Sequence, residues 1–217
     1  MDSASKLVQL VQVRLKGAPE YLCTAAVRKA FNQICRQTDC WRRTVSFVAQ
    51  TARMEETVDG KLLLDMPDLG YEADLARLFR VLVQEYDTGT ATYGTTSNKP
   101  DGSFRVRRGE RLQIELDSTD AVEATDQVTV DVSLAPYEMG TTLGDIPPGI
   151  VQLCGEAVVH LAAADLLRMS KRPWSDPEAG QWEYVEGMNA VRMILANADN
   201  GSTGKTASAP VTGIVEG

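Results

Sequence analysis

Apolar residues recur every three or four positions along four stretches of the chain, and this spacing predicts amphipathic helices. The second stretch shows the pattern best. Its apolar face carries Cys23, Val27, Phe31 and Ile34, and its polar face carries Arg28, Lys29, Asn32, Gln33 and Arg36. Pro19 and Glu20 suit its first turn, where proline is tolerated and a carboxylate meets the positive end of the helix. We predict helices over residues 5–15, 19–37, 147–169 and 176–198.

The pattern between the second and third helices favours strands. Residues 127–134 alternate strictly, with Val128, Val130, Val132 and Leu134 on one face. Further strands are predicted over residues 41–48, 80–85, 104–106 and 111–116, and a hairpin turn is predicted at Asp59 and Gly60. Residues 74–79 are predicted to form a helical turn, and residues 87–102 a mobile surface loop. The resulting fold class is α+β, with a mainly antiparallel β-rich insertion over residues 41–136 in a frame of about four helices.

The last two helices form a hairpin through the elbow at residues 171–178. The helix over residues 147–169 contains the small residues Ala162, Ala163 and Ala164, so another backbone can approach it closely. Pro173 breaks this helix, and Ser175 is predicted to cap the next one, with Glu178 completing a capping box. Two apolar stripes on the final helix imply contacts on two sides, as in a subunit of an assembly.

Length and composition favour a single domain over residues 1–198, followed by a flexible tail over residues 199–217. The tail is rich in Gly, Ser, Thr, Ala and Pro, which bury too little surface to offset the entropy of ordering. Ile214 and Val215, near its end, are either an anchor that orders on a partner or simply disordered.

The chain has a net charge of −8 and a pI near 4.8, which disfavours non-specific binding to nucleic-acid phosphates. An acidic surface would nevertheless suit a channel through which a duplex slides without sticking. No run approaches the roughly 18 apolar residues of a membrane span, so we expect a cytosolic chain without a membrane partner. The four cysteines show no C-x-x-C pair and are interpreted as reduced packing residues, with a metal site as the alternative.

Candidate catalytic groups are few. His160 is the only histidine, and Glu156, four residues earlier on the same helix face, is its expected partner in a hydrogen bond or ion pair. Gly204, Lys205 and Thr206 resemble part of a phosphate-binding loop, but the required earlier glycine is Asp199. The sequence therefore predicts no catalytic, metal-binding or cofactor-binding residues and no cofactor.

A basic group, Arg105, Arg107, Arg108 and Arg111, leaves several interpretations open. It could bind phosphate, form local ion pairs on a solvated hairpin, or line a sheet edge that pairs with an acidic neighbouring subunit.

The order of these signals resembles the head-to-tail adaptor (connector) proteins of tailed bacteriophages, over most of residues 18–196. The resemblance begins with Ala18, Pro19 and Glu20 opening a helix that ends at residues 34–38, followed by residues 40–44. It continues with residues 62–67 before a segment rich in Leu, Arg and Val. It ends with Leu167, Arg168 and Met169 on the Ala-rich helix and with residues 171–177.

The resemblance implies a structural virion protein and not an enzyme. Copies of such an adaptor, typically twelve, form a ring beneath the portal protein, extend the DNA channel and provide a docking surface for a downstream tail or nozzle protein. Double-stranded DNA passes through without sequence-specific binding. The implied location is the head–tail junction of the virion, with assembly in the host cytoplasm.

The resemblance also makes residues 199–217 the candidate segment for docking to the portal, with Lys205, Pro210, Val211, Ile214 and Val215 as its candidate contact residues. The candidates for contacts between subunits or with the phage tail are the four arginines named above, as a charged sheet edge, and Trp174.

Two alternatives come from other classes of protein. One is a small enzyme or ligand-binding domain with a cleft between the β region and the helices, for which His160, Glu156 and the arginine group are the available polar residues. The other is a host-encoded helical interaction module unrelated to virions.

Overall fold

The computed structural model describes residues 3–50, 54–56, 60–67, 73–87, 90, 92–99, 104–107, 113–116, 122–137, 143 and 146–199. These residues form an α+β fold, as predicted. The helices are α1 (Ser3–Arg14), α2 (Glu20–Thr38), α3 (Pro148–Leu167) and α4 (Pro177–Asp199). The strands are β1 (Arg42–Val48), β2 (Met54–Glu56), β3 (Leu62–Asp65), β4 (Ala73–Asp87), β5 (Thr92–Lys99), β6 (Phe104–Arg107), β7 (Gln113–Leu116) and β8 (Gln127–Pro136).

Helix α3 is the centre of the helical frame, because it packs against α1, α2 and α4 more extensively than these three pack against one another. Its alanines 162 to 164 are buried within this one chain. By length and by a mean hydropathy of 1.5, α3 could also cross a bilayer, but 61% of that stretch is buried inside the fold. Core helices of soluble proteins have the same character, so the apolar sequence of α3 follows from its central position.

The larger sheet has the strand order β1-β8-β4-β5, and all its pairings are antiparallel. Val128, Val130, Val132 and Leu134 of β8 are fully buried, which confirms the predicted alternation.

The helical turn predicted over residues 74–79 is wrong, because these residues belong to the 15-residue strand β4. The register of β4 against β8 shifts between Leu75 and Arg77 and again between Leu78 and Arg80. Each shift adds one residue to β4, so Leu75, Leu78 and Val81 all pair with the alternating apolar residues of β8. The register shifts thus place apolar residues three positions apart in a strand, a spacing that is otherwise typical of a helix.

The loop predicted over residues 87–102 is also wrong, because residues 92–99 form β5. This strand pairs with β4 from Val81↔Lys99 to Asp87↔Thr92. The residues of β5 are mostly polar, so its strand structure comes from backbone pairing at the edge of the sheet and not from an apolar pattern.

The smaller sheet has the order β2-β3-β7-β6 and is also antiparallel. Glu56 pairs with Leu62, and Gly60 has a φ of +72°, which confirms the hairpin predicted there. Asp59 lies outside the described residues. Leu62 and Leu64 of β3 and Ile114 of β7 belong to the same buried apolar cluster as the helices and the larger sheet.

Part of the polar face of α2 is buried against the larger sheet. Arg28 is fully buried and its Nε donates to the carbonyl oxygen of Tyr137. Asn32 Nδ2 donates to the carbonyl oxygen of Pro136 at 2.6 Å, and Arg36 forms an ion pair with Asp74 at 3.2 Å. These side chains attach α2 to the ends of β8 and β4, so the polar positions of the amphipathic pattern mark a second packing face.

Helix α4 begins one residue later than the predicted capping box requires. Asp176 Oδ1 accepts a hydrogen bond from the amide of Ala179 at 3.0 Å, and Pro177 is the first residue of the helix. Asp176, and not Ser175, is therefore the N-cap. The elbow before it contains Lys171 at a φ of +60°, and the amide of Asp176 donates to the carbonyl oxygen of Leu167.

Candidate assembly surface

The outward face of α4 carries three exposed apolar side chains. Trp182, Val185 and Met193 are 59%, 45% and 68% exposed. At 100° per residue they lie within one third of the helix circumference, opposite the buried Val191. We call these three residues the α4 stripe. The second of the two apolar stripes predicted on this helix thus remains uncovered in the single chain.

A second set of exposed apolar residues lies near the N-terminus. Leu10 and Val13 project from α1, and Tyr21 projects from the first turn of α2. Leu10 and Val13 are three residues apart and therefore lie on the same side of α1.

A polar cluster fixes the helices next to the α4 stripe. Arg14 of α1 donates to Glu183 Oε2 at 2.6 Å, and Nδ1 of His160 lies 2.6 Å from the same oxygen. Glu183 is buried, and the rings of His160 and Trp182 meet edge to face with their centroids 6.1 Å apart. One carboxylate therefore joins α1, α3 and α4, and its histidine partner lies against Trp182 of the α4 stripe.

The partner expected for His160 was Glu156, whereas the structure places Glu183 there. Glu183 lies 23 residues further along the chain and comes from the antiparallel helix α4. Because Nδ1 of His160 is engaged by this carboxylate, the arrangement serves to bind helices together.

An open groove of about 710 Å³ lies between α1 and α3. Leu7, Leu10, Val151 and Val159 supply its apolar lining, and Lys6 and Glu156 are among its polar residues. It lies between two helices, whereas the alternative ligand-binding interpretation placed a cleft between the β region and the helices. In the part of the chain that the structure describes, no group of three or more His, Cys, Asp or Glu side chains is arranged to hold a metal ion.

The predicted contact residues lie in different parts of the fold. Arg105 and Arg107 belong to β6, which is an edge strand of the smaller sheet among the described strands. Trp174 is half-buried in the elbow and packs against the main apolar cluster. Its Nε1 is buried and has no hydrogen-bond partner among the described residues. Arg108, Arg111 and the tail residues Lys205, Pro210, Val211, Ile214 and Val215 lie outside the described residues.

The sequence did not predict the ion pair between Arg14 and Glu183, or the hydrogen bonds by which Arg28 and Asn32 attach α2 to the larger sheet. The only available signal was a charged or amide side chain in an otherwise apolar helical neighbourhood. Such a residue indicates a buried polar partner without naming it.

No protein family matches the sequence, and no curated protein matches it. Seven chains of solved structures are similar to it. One of these belongs to the neck of an empty gene transfer agent (GTA) particle, a phage-like particle, computed with C6 symmetry. It is 14% identical in sequence, the alignment covers 89% of this chain and 92% of that chain, and the TM-score is 0.29. The similarity to a neck protein is thus a coarse one.

Proposed function

We propose that this chain is a structural subunit of a phage-like virion, a head-to-tail adaptor that forms a ring beneath the portal protein. The ring extends the DNA channel toward the tail and presents a docking surface for a tail or nozzle protein. The resemblance of the sequence signals over residues 18–196 supports the class of protein. The observation that carries the proposal is the α4 stripe, because three large apolar side chains face outward from a helix whose opposite side packs on the core through Val191 and Ile194.

Association through the α4 stripe explains how a ring could form. A ring requires a head-to-tail contact in which one surface of a subunit meets a different surface of the next. Among the described residues, the α4 stripe and the residues Leu10 and Val13 of α1 are two exposed apolar sets on different helices. In the proposed ring, typically of twelve copies, one set of each subunit covers the other set of its neighbour.

The remaining surfaces are assigned to the other partners. Residues 199–217 dock to the portal protein. Neighbouring subunits or the phage tail are contacted by Arg105 and Arg107 of β6, by Arg108 and Arg111, and by Trp174. The net charge of −8 suits a protein that lets double-stranded DNA pass without binding a sequence. The protein acts in the virion at the head–tail junction, assembles in the host cytoplasm, and has no enzymatic role.

Substitution within the α4 stripe tests this function. Val185→Glu places a charge in the proposed contact and should abolish ring formation on purified portal protein, as measured by electron microscopy and native mass spectrometry. Val48→Glu is the matched control, because Val48 is a valine of similar exposure, 38% against 45%, on β1 instead of α4. Both variants should keep the wild-type melting temperature and helical circular dichroism.

The proposal is wrong if the wild-type chain attaches to the portal at random or not at all. It is also wrong if the two variants form rings equally well. A folded monomer that converts a small molecule would favour the enzymatic alternative instead.

A further inference from the structure

Three thiols meet where the helical frame joins the larger sheet. Cys35 lies in the last turn of α2, Cys40 in the link between α2 and β1, and Cys154 in the middle of α3. Sγ of Cys40 lies 3.6 Å from Sγ of Cys154 and 3.8 Å from Sγ of Cys35. All three are free thiols. The contact between Cys40 and Cys154 joins positions 114 residues apart, and Cys35 adds the adjacent end of α2.

The three thiols differ in access to solvent and in acidity. Cys35 and Cys154 are buried, whereas Cys40 is partly exposed. Hydrogen bonds with the thiols of Cys154 and Cys35 lower the pKa of Cys40. The hydrogen bond to Cys40, followed by burial, raises the pKa of both Cys35 and Cys154. The reachable sulfur is therefore also the one that is most readily ionised, and a thiolate is the nucleophilic form of cysteine.

We propose that Cys40 and Cys154 form an oxidative modification site whose co-substrate is a low-molecular-weight disulfide. Cys40 is the attacking thiol, because it is the accessible member of the group. Cys154 is the resolving thiol, because its sulfur is the nearer of the two neighbours. The product is a disulfide between the link before β1 and the centre of α3.

The reaction is two successive thiol–disulfide exchanges. The Cys40 thiolate attacks one sulfur of the small disulfide, forms a mixed disulfide and releases one small thiolate. The Cys154 sulfur then attacks the Cys40 sulfur and expels the second small thiolate, which takes up the proton lost from Cys154. Two protein thiols are oxidised, and one small disulfide is reduced to two thiols.

The position of this bond determines what it would do to the fold. All eight strands that the structure describes lie between Cys40 and Cys154 in the sequence. A disulfide here closes the whole β-rich part into one covalent loop that is attached to the central helix. Because long loops lose the most entropy when they are closed in the unfolded chain, the oxidised protein should be distinctly more stable than the reduced one.

The test is to incubate the folded, full-length chain with oxidised glutathione and to map its disulfides by non-reducing peptide mass spectrometry. We expect the Cys40–Cys154 disulfide to dominate, and the melting temperature to rise by roughly 5–10 °C until a reductant is added. In Cys154→Ser, the glutathione adduct should remain on Cys40.

Cys23→Ser supplies the control. Cys23 lies on the same helix as Cys35 but 12 residues earlier, or about 18 Å along the helix axis, and it should not affect the reaction. The wild-type experiment needs no substitution in the core, so its result does not depend on whether a variant folds. A Cys35–Cys40 disulfide, a lasting adduct on Cys40 of the wild-type chain, or no modification of Cys40 would overturn the proposal. This site does not depend on the proposed role in a virion.

Discussion

At the scale of single residues, the close approach of α3 and α4 depends on Gly187 of α4. A Cβ atom on Gly187 would lie 2.7 Å from Cδ2 of Leu161 and 3.2 Å from the backbone nitrogen of that residue. Leu161 is itself buried, so it has little room to move. The small residues of the sequence pattern thus allow a close approach, but the approaching backbone is the next helix of the same chain.

Gly187→Ala is expected to destabilise the protein by about 1–2 kcal/mol, because overpacking exceeds the gain of up to about 1 kcal/mol in helix propensity. Gly155→Ala is the control. A Cβ there would lie 3.4 Å from Leu7, an ordinary contact, so the propensity gain should appear as a stabilisation. Urea unfolding of the two variants measures both effects. Equal effects of the two substitutions would show that the α3–α4 contact is not limited by Gly187.

Residue contacts between distant parts of the chain could not be obtained from the sequence. His160 and Glu156 fit the rule for helix neighbours, and nothing in the local pattern favours Glu183 instead. The antiparallel packing of α4 on α3 determines the partner of His160, because it brings Glu183 next to that ring. Likewise, an amphipathic pattern identifies Arg28 and Asn32 as polar, but only the sheet that packs on α2 explains why they are buried.

At the scale of elements, the four described helices were predictable, because apolar residues recur at helical spacing and prolines mark the starts of α2, α3 and α4. The start of α4 shows how one signal can override another. Ser175 and Glu178 have the spacing of a capping box, yet Pro177 favours the first helical position, which places the cap at Asp176. The proline was the more informative residue, since it fixes its own backbone angle before any side-chain hydrogen bond forms.

The cap assignment gives a direct test. Asp176→Ala should destabilise the protein by about 0.5–2 kcal/mol, because the amide of Ala179 loses its acceptor and a carboxylate leaves the helix N-terminus. Ser175→Ala should change the free energy of unfolding by less than about 0.5 kcal/mol. Thermal unfolding of both variants decides between them, and a larger loss in Ser175→Ala would restore the predicted capping box.

The strands were only partly predictable, and the two errors have different physical causes. In β4, the extra residue at each register shift places the apolar residues three positions apart instead of two, and a spacing of three predicts a helix. In β5, a polar segment becomes a strand because β4 offers it unpaired backbone groups. Neither cause leaves a local signal in the sequence, whereas β8, buried and regular, was predicted almost to its ends.

At the scale of the whole molecule, the described fold packs one side of α1 and of α4 and leaves exposed apolar residues on another side of each. Among the polar groups inside the fold, His160 and Glu183 join helices, and the fully buried Arg28 attaches α2 to the β region. The proposed assembly therefore depends on the exposed apolar sides of α1 and α4.

The tail provides the prediction that separates assembly from folding. Helix α4 ends at Asp199, and the residues after it are mostly small or polar, so they offer little apolar surface to the core. Removing residues 200–217 should therefore leave the melting temperature within about 2 °C of the full chain, while binding to purified portal protein weakens at least about tenfold, the equivalent of 1.4 kcal/mol. Calorimetric melting and surface plasmon resonance measure the two quantities.

A double substitution, Ile214→Ser with Val215→Ser, narrows the same question to two side chains. If this apolar pair anchors the tail on the portal, most of the loss in affinity caused by truncation should appear with these two changes alone, since the burial of an aliphatic side chain contributes about 1.5–3 kcal/mol. Thr212→Ser is the control, because it shortens a neighbouring side chain of the tail without touching the pair. A large fall in melting temperature on truncation would instead mean that the tail completes the core of its own chain, and the portal would then have to be recognised elsewhere.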